Sequence, residues 1–288
     1  MADARKLAAA ALLRVEADGG YSNIVLNSAL NTSEISHADR ALASALFYGV
    51  LDRRITIDWL LSKHIKTPLK KVAPYTLTVL RCAVYQIAFM EKIPESAAVN
   101  EAVKLIKASG ERRNAAFVNA VLRNIIRTGT DLPYGNDVRT LSVRYSCPEW
   151  IVKSFINDYG EENAVELLSQ SLKTPPVTVR VNTVRTTPER LIKILEENNV
   201  KAAGTETENA LTISITGDIT ALLPYKEGLF HIQDTASQTA AAVLAPKSGD
   251  HVLDMCAAPG GKSYISRDYG KQRRNYSLRS IRTARRSY

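Results

Sequence analysis

The sequence is poor in cysteine, histidine and tryptophan, with 3, 4 and 2 of each among its 288 residues. The three cysteines are scattered and form no CxxC pair, so we expect neither a disulfide framework nor a cysteine-based zinc site. The histidines have no metal-ligand spacing either. No unbroken apolar run exceeds seven residues, whereas a membrane span needs about twenty. We therefore predict no metal and no membrane partner, and a cytoplasmic location.

Negative charge is scarce at the end of the chain. Between Arg267 and Tyr288, eight lysines and arginines accompany a single acid. Most of the net charge of +9 lies in this tail, and the rest of the chain is nearly neutral. Such a tail is typical either of a solvated, disordered peptide or of a basic arm that holds phosphates in a salt-dependent way. The overall charge therefore favours a nucleic-acid partner only weakly.

Strand-like alternation is missing from residues 1–128, where apolar residues recur at helical spacing instead. Such stripes predict helices that bury one face in a common core. We therefore predict an all-α domain over residues 1–128. The stripes are Leu77, Leu80, Val84 and Ile87, then Val99, Ala102, Val103 and Ile106, and finally Val118, Val121, Leu122 and Ile125.

The character of the sequence changes after this domain. Glycine, proline, aspartate and asparagine over residues 129–140 predict a linker. Residues 141–230 mix helical and strand patterns, which predicts a small α+β unit. Ser146 and Glu149 have the spacing of a capping box, so we expect one helix from there through Leu172.

Strands and further helices are expected from alternation and from start signals. The predicted strands carry Val177, Val179 and Val181, then Leu211, Ile213 and Ile215, and finally residues 251–256. The predicted helices begin at Thr187-Pro188 and at Gln233, the second ending at Leu244.

The most specific motif follows the last of these strands, where residues 252–263 read VLDMCAAPGGKS. Gly260 and Gly261 allow the backbone to approach a ligand where a Cβ would clash. A phosphate-binding GxxxxGK[ST] loop is excluded, because it would require glycine at Cys256. The pattern predicts the first βα unit of a doubly wound sheet, with a ligand at the carboxyl end of the strand.

This stretch resembles the S-adenosylmethionine-binding motif of RNA cytosine-5 methyltransferases. Segments 233–238, 180–183 and 144–150 are similar to the same family. The first 128 residues resemble the helical RNA-binding NusB domain. The pieces that carry this second resemblance are Asp39-Arg40, residues 48–51, Val79-Leu80-Arg81, residues 99–103 and residues 117–123.

A NusB-like domain fused to such an enzyme is the arrangement of a 16S ribosomal RNA cytosine-5 methyltransferase family. The resemblance implies methyl transfer from S-adenosylmethionine to C5 of one cytosine in 16S ribosomal RNA. In that family a cysteine thiolate attacks C6 of the base, an acid assists, and a second cysteine helps to release the product. The cofactor-binding residues implied by the motif are Cys256, Ala257, Ala258, Pro259, Gly260, Gly261 and Lys262.

The sequence departs from the family after Ser263. No cysteine or proline follows, and Asp268 is the sole acid there. The family's Asp-x-Pro-Cys and Thr-Cys motifs are therefore missing, and we assign no catalytic residue. We expect a truncated or frame-shifted family member, with an incomplete Rossmann-like domain over residues 231–265 and a disordered tail over 266–288. As it stands, the chain is predicted to be inactive.

An alternative function is a NusB-like RNA-binding module without catalysis, and its protein partners are left open. Cys82 is expected to be a packed thiol, and Cys147 lies at a predicted helix start, which can lower the pKa of a thiol. Arg81 and Arg123 have a second interpretation as anchors of helix packing. The candidate RNA contacts, each of which can also be an ordinary surface charge, are Arg5, Lys6, Arg14, Arg112, Arg113, Arg123 and Arg127.

Overall fold

The computed structural model describes residues 4–33, 35–173, 175–215, 219–246, 251–255, 260–262 and 278–280. By its internal contacts the chain divides into two units, Met1–Lys173 and Thr174–Tyr288. Within the described residues, no helix combines the length and the apolar composition that a membrane crossing needs.

The described part of the first unit is helical, as predicted for residues 1–128. Short 3-10 turns at Leu69–Lys71 and Arg112–Asn114 join some of its helices. The α-helices are α1 (Ala4–Asp18), α2 (Ser22–Asn31), α3 (His37–Asp52), α4 (Arg54–His64), α5 (Pro74–Phe89), α6 (Glu95–Lys107), α7 (Ala115–Thr128), α8 (Val138–Tyr145), α9 (Glu149–Tyr159) and α10 (Glu161–Ser171).

Helix α5 is the centre of this unit. Ten of its sixteen residues are buried, and α1, α3, α4, α6 and α7 all contact it. A helix that is apolar nearly all round must be covered on all sides to remove that surface from water. The predicted stripes are confirmed as core: Val118, Val121, Leu122 and Ile125 of α7 are all buried.

The contact between α3 and α5 depends on a glycine. A Cβ added to Gly49 would lie 2.0 Å from Cζ of Tyr85, well inside van der Waals contact. Glycine therefore lets the backbone of α3 approach the aromatic ring of α5. This explains why glycine stands in the Tyr48–Leu51 segment that carries the NusB resemblance.

Helices α8, α9 and α10 share a smaller core around Leu141, Val152 and Leu168. The capping box predicted at Ser146 is wrong. Ser146 is left-handed (φ 51°) and ends α8, and its Oγ accepts a hydrogen bond from the Ile55 amide at 3.1 Å. The helix expected through Leu172 is also two helices, because Gly160 (φ 80°) separates α9 from α10.

The second unit contains a four-stranded sheet and three helices among its described residues. A 3-10 turn spans Ile219–Ala221. The strands are β1 (Val177–Val181), β2 (Lys201–Gly204), β3 (Ala210–Ser214), β4 (Phe230–Ile232), β5 (Val252–Asp254) and β6 (Leu278–Ser280), and the helices are α11 (Pro188–Glu197), α12 (Leu223–Lys226) and α13 (Thr235–Leu244).

The four-stranded sheet is antiparallel, with strand order β2-β3-β1-β4. Val179 pairs with Leu211 on one side and with Ile232 on the other. Its core contains Val179 and Val181 of β1 together with Leu191 and Leu195 of α11. The strands predicted at 177–181 and around 211–215 are confirmed. The pattern missed β2 and β4, since β2 reads KAAG and lacks alternation.

Helix α11 is confirmed where Thr187-Pro188 predicted it. Thr187 is the N-cap, and its Oγ1 accepts a hydrogen bond from the Arg190 amide at 3.3 Å. Helix α13 begins two residues later than predicted, because Asp234 is its N-cap and accepts from the Ala236 amide at 3.1 Å.

Strand β5 confirms the strand expected before the glycine turn. It pairs in parallel with β6, Val252 lying opposite Leu278. Strand β6 lies within the tail that was predicted to be disordered. Its pairing gives backbone N–H and C=O groups of both strands partners. The remaining tail positions lie outside the described residues.

Candidate nucleic-acid interface and cofactor turn

The arginines and lysines predicted to contact RNA lie on several helices of the first unit. Lys6, Arg14, Arg112 and Arg113 are exposed. Arg5 is half-buried, and its Nε donates to Oε1 of Gln86 at 2.8 Å. Arg5 therefore also serves the contact between α1 and α5.

Arg81 is a packing residue, the second of its two interpretations. Its side chain is only 7% exposed. Nε and Nη2 donate to the two Asp58 carboxylate oxygens at 2.7 and 2.9 Å, and Nη1 donates to Glu16 Oε1 at 2.8 Å. Burial lowers the pKa of Arg81, but the hydrogen bonds and charges of Asp58 and Glu16 outweigh it and raise the pKa overall. Arg81 thus ties α1 and α4 to α5 and is not available to RNA.

Arg123 and Arg127 are exposed and lie one turn apart on α7. Arg123 Nε donates to Asn119 Oδ1 at 3.0 Å, and Arg127 Nη2 donates to Asn124 Oδ1 at 2.6 Å. Neither forms an ion pair with a described carboxylate. The packing interpretation of Arg123 is therefore not supported, since it contacts only its own helix through this bond.

The two arginines border a groove between α6 and α7. The groove encloses about 310 Å³. Its lining combines apolar and polar side chains: Glu95, Ser96, Val99, Asn100, Arg123, Ile126 and Arg127.

His64 joins the end of α4 to α7 beside this groove. Its Nδ1 lies 2.8 Å from Asn124 Nδ2, and its Nε2 lies 3.4 Å from Thr128 Oγ1. Because an amide nitrogen is a donor, Nδ1 accepts here, so His64 is the neutral tautomer with its proton on Nε2. Burial, and then the charge of Lys63, lower the pKa of His64.

A group of lysines next to this histidine escaped the sequence reasoning. Lys63, Lys66, Lys70 and Lys71 are all exposed. The signal was available in the sequence, because no aspartate or glutamate occurs from Trp59 to Met90. The same is true from Arg112 to Thr130. These two acid-free segments meet where His64 contacts α7.

The described cysteines are not activated thiols. Burial raises the pKa of Cys82 to about 12, and the nearby charge of Arg81 offsets only part of this rise. Burial also raises the pKa of Cys147, opposite to the lowering considered for a helix start. Among the described residues, no cluster of histidine, cysteine and acidic side chains could hold a metal ion.

The predicted cofactor turn is described only in part. Cys256, Ala257, Ala258 and Pro259 lie outside the described residues. Gly260 has φ 108°, a conformation that only glycine adopts without strain. A Cβ on Gly261 would lie 3.3 Å from Gln233 Nε2, so glycine also leaves room beside that amide. The described glycines therefore fit a ligand turn.

The amide beside this turn is held in place from the sheet. The side-chain Oε1 of Gln233 lies 3.2 Å from His231 Nε2. The backbone N–H of Gln233 donates to Thr178 O of β1 at 3.1 Å. Gln238 Nε2 in turn donates to Gln233 O at 3.0 Å. Sequence reasoning noted Gln233 and Gln238 only within the family segment, because the contact with Gly261 is made across the fold.

Two family models match successive parts of the chain. Residues 2–127 match the NusB family, and residues 147–220 match the ferredoxin-like domain of RsmF/B-like methyltransferases. The probable ribosomal RNA small subunit methyltransferase B of Bacillus subtilis (strain 168) is 37% identical over 262 residues, 90% of this chain. The chain is similar to ribosomal RNA small subunit methyltransferase B along most of its own length. It thus has a helical NusB-like domain followed by a small α+β ferredoxin-like domain.

The chain spans 58% of the length of the Bacillus methyltransferase B. The corresponding protein of Synechocystis sp. (strain ATCC 27184 / PCC 6803 / Kazusa) is 30% identical over 282 residues, and the match covers 96% of this chain and 63% of that protein. The crystal structure of PH0851 has the same fold, with a TM-score of 0.70 at 20% identity, covering 96% of this chain and 63% of that one.

Proposed function

We propose that these domains serve a cytoplasmic methyltransferase that transfers the methyl group of S-adenosylmethionine to C5 of a cytosine in 16S ribosomal RNA. The observation that carries the proposal is the order of parts along the chain. A NusB domain and an RsmF/B-like ferredoxin-like domain precede strand β5 and its glycine turn. RNA recognition is assigned to the first two, and donor binding to the third.

RNA recognition can be tested directly with the full chain. We expect a 16S ribosomal RNA fragment to bind more tightly than a 23S fragment of equal length, with an affinity that falls as salt rises. Fluorescence anisotropy at several salt concentrations measures the two affinities and their dependence on salt. Equal binding of the two fragments would contradict the choice of 16S RNA.

Residues 256–262 are proposed to hold the methyl donor. When bound, S-adenosylmethionine supplies an electrophilic methyl carbon on its sulfonium. The turn contributes a backbone that can approach the ligand closely at Gly260. A ligand that binds only the folded state stabilises it, so saturating S-adenosylmethionine should raise the Tm of the wild-type chain. Gly260→Ala should abolish that rise, whereas Gly110→Ala, which meets nothing within 4 Å, should retain it.

The chain is proposed to lack methyl transfer of its own. Cys82 and Cys147, the cysteines that the structure describes as free, both have raised pKa values and are poor nucleophiles at neutral pH. We expect no tritium transfer from labelled S-adenosylmethionine to a 16S fragment. If transfer occurs, Cys256→Ser identifies whether the turn cysteine provides the thiolate, and the proposal of inactivity fails.

A second candidate is an RNA-binding module without a donor site, favoured by the match of residues 2–127 to the NusB family. The two candidates predict different results in one pair of measurements. A 16S fragment that binds while S-adenosylmethionine leaves the Tm unchanged supports the module. A Tm rise supports the donor site.

A further inference from the structure

We propose that the groove between α6 and α7 binds one nucleotide of an unpaired RNA strand, with Arg123 and Arg127 holding its phosphates. This inference rests on the RNA partner of the proposed function and names where and how part of that RNA is held. The argument uses the size of the groove, its chemistry and the charge around it.

The size and the walls of the groove suit a nucleotide. At about 310 Å³ it lies at the small end of the range of ligand sites. The half-buried Ile126 supplies apolar surface against which a base can lie, and the buried Val99 forms the wall behind it. Unpaired bases are the ones that proteins read, because their faces and hydrogen-bonding edges are accessible.

The polar groups have separate tasks. Asn100, Ser96 and Glu95 offer donors and acceptors to the edge of a base. The Glu95 carboxylate accepts only, so it favours a base edge that carries an amino group over a phosphate. Phosphates are therefore assigned to the α7 wall of the groove, which carries the arginines.

Arg123 and Arg127 are prepared for anions. Each uses one of its five N–H donors in a hydrogen bond to an asparagine oxygen, which orients the guanidinium without neutralising it. The remaining donors can make charge-assisted bonds to phosphate oxygens. Exposed lysines follow α4, and no acid between Arg112 and Thr130 offsets the arginines there. This positive charge can attract the RNA on either side of the bound nucleotide.

The test measures the affinity of the full chain for an unpaired RNA 12-mer and for a duplex of the same length. R123Q/R127Q should weaken binding of the unpaired RNA about tenfold and reduce the slope of log K against log salt by about 1.4. The matched pair K107Q/R139Q, two exposed cations of the same unit that do not line the groove, should weaken binding less than about threefold. Equal losses from both pairs would overturn the proposal in favour of diffuse attraction.

A second variant fills the groove without changing charge. Ser96 is exposed, so Ser96→Trp should fold normally, and the Tm checks this. We expect it to weaken binding of the unpaired RNA about fivefold and to leave binding of the duplex unchanged, since only an unpaired base enters the groove. Ser154→Trp, at an exposed position of α9, is the control. An unchanged affinity of Ser96→Trp for the unpaired RNA overturns the proposal.

Two further probes separate the remaining outcomes. Polyglutamate that binds with the same dependence on Arg123, Arg127 and Ser96 would identify an acidic peptide as the occupant and overturn the RNA assignment. If the wild-type chain binds a 16S fragment but not the unpaired 12-mer, the groove proposal fails and the proposed function stands. If it binds neither, both fail.

Discussion

Helix α5 and strand β5 are both apolar segments, but their surroundings differ. Five helices cover α5, and Leu80 is fully buried. Strand β5 pairs with β6, yet Leu253 is 59% exposed and Met255 is 76% exposed. Both segments lie in stretches that carry a family resemblance. A motif is therefore a local property of the sequence, whereas burial depends on which other elements the fold brings to it.

The largest expected effect concerns the buried charge in α5. Arg81→Ala leaves Asp58 without its guanidinium and Glu16 with Arg54 as its remaining partner. Breaking such a buried pair should cost about 3 kcal/mol of unfolding free energy or more. Urea unfolding followed by circular dichroism measures it. Arg123→Ala, which removes an exposed arginine from α7, is the control and should change stability by less than about 0.5 kcal/mol. Similar losses for both would show that the Arg81 network is not a structural anchor.

The comparison itself can be tested with two leucines. Leu80→Ala should cost about 2–5 kcal/mol, because a fully buried side chain leaves a cavity. Leu253→Ala should cost less than about 0.5 kcal/mol, because that side chain is mostly exposed. Equal losses would mean that Leu253 is covered in solution and that the contrast drawn between α5 and β5 is wrong.

A smaller effect is expected at Gly49. Gly49→Ala forces the Tyr85 ring away from α3 and should cost about 1–3 kcal/mol, typical of overpacking. The double variant Gly49→Ala/Tyr85→Leu should lose less than the sum of the single variants, because the clash is removed. Strict additivity in urea unfolding would show that the two residues do not meet.

The smallest effect concerns pH and His64. Its pKa is lowered in the folded state, so below about pH 6.5 the unfolded chain binds more protons. The contribution of His64 to stability is therefore complete above that pH and is lost as the pH falls through the folded-state pKa. His64→Gln should flatten the Tm profile between pH 7 and pH 5. An unchanged profile would assign the pH dependence to other groups.

Much of the fold was predictable where a local pattern, such as apolar periodicity or a helix cap, was not overridden by a long-range contact. The apolar residues of the Val118–Ile125 stripe are buried as predicted, and Thr187 caps α11 as expected. Ser146 shows how such a prediction fails. Its spacing to Glu149 is that of a capping box, but its hydroxyl is used by the Ile55 amide, 91 positions earlier in the chain.

In the candidate sites, too, local features were predictable from the sequence and contacts across the fold were not. The sequence predicted that Gly260 lets the backbone approach a ligand, whereas the contact between Gly261 and Gln233 is made across the fold. The α6–α7 groove and its arginines also needed the structure, because Val99 and Ile126 come together only when the two helices pack. Lys63, Lys66, Lys70 and Lys71 were readable as an acid-free segment and were missed.

The burial of α5 also has an evolutionary consequence. With ten of sixteen residues buried and a clamped arginine among them, this helix has almost no surface on which substitutions are neutral. Sequence drift in the domain should therefore concentrate in helices with an open face, such as α2, where Ile24 is 62% exposed. In a library of random variants selected for folding, α5 should be the segment that changes least.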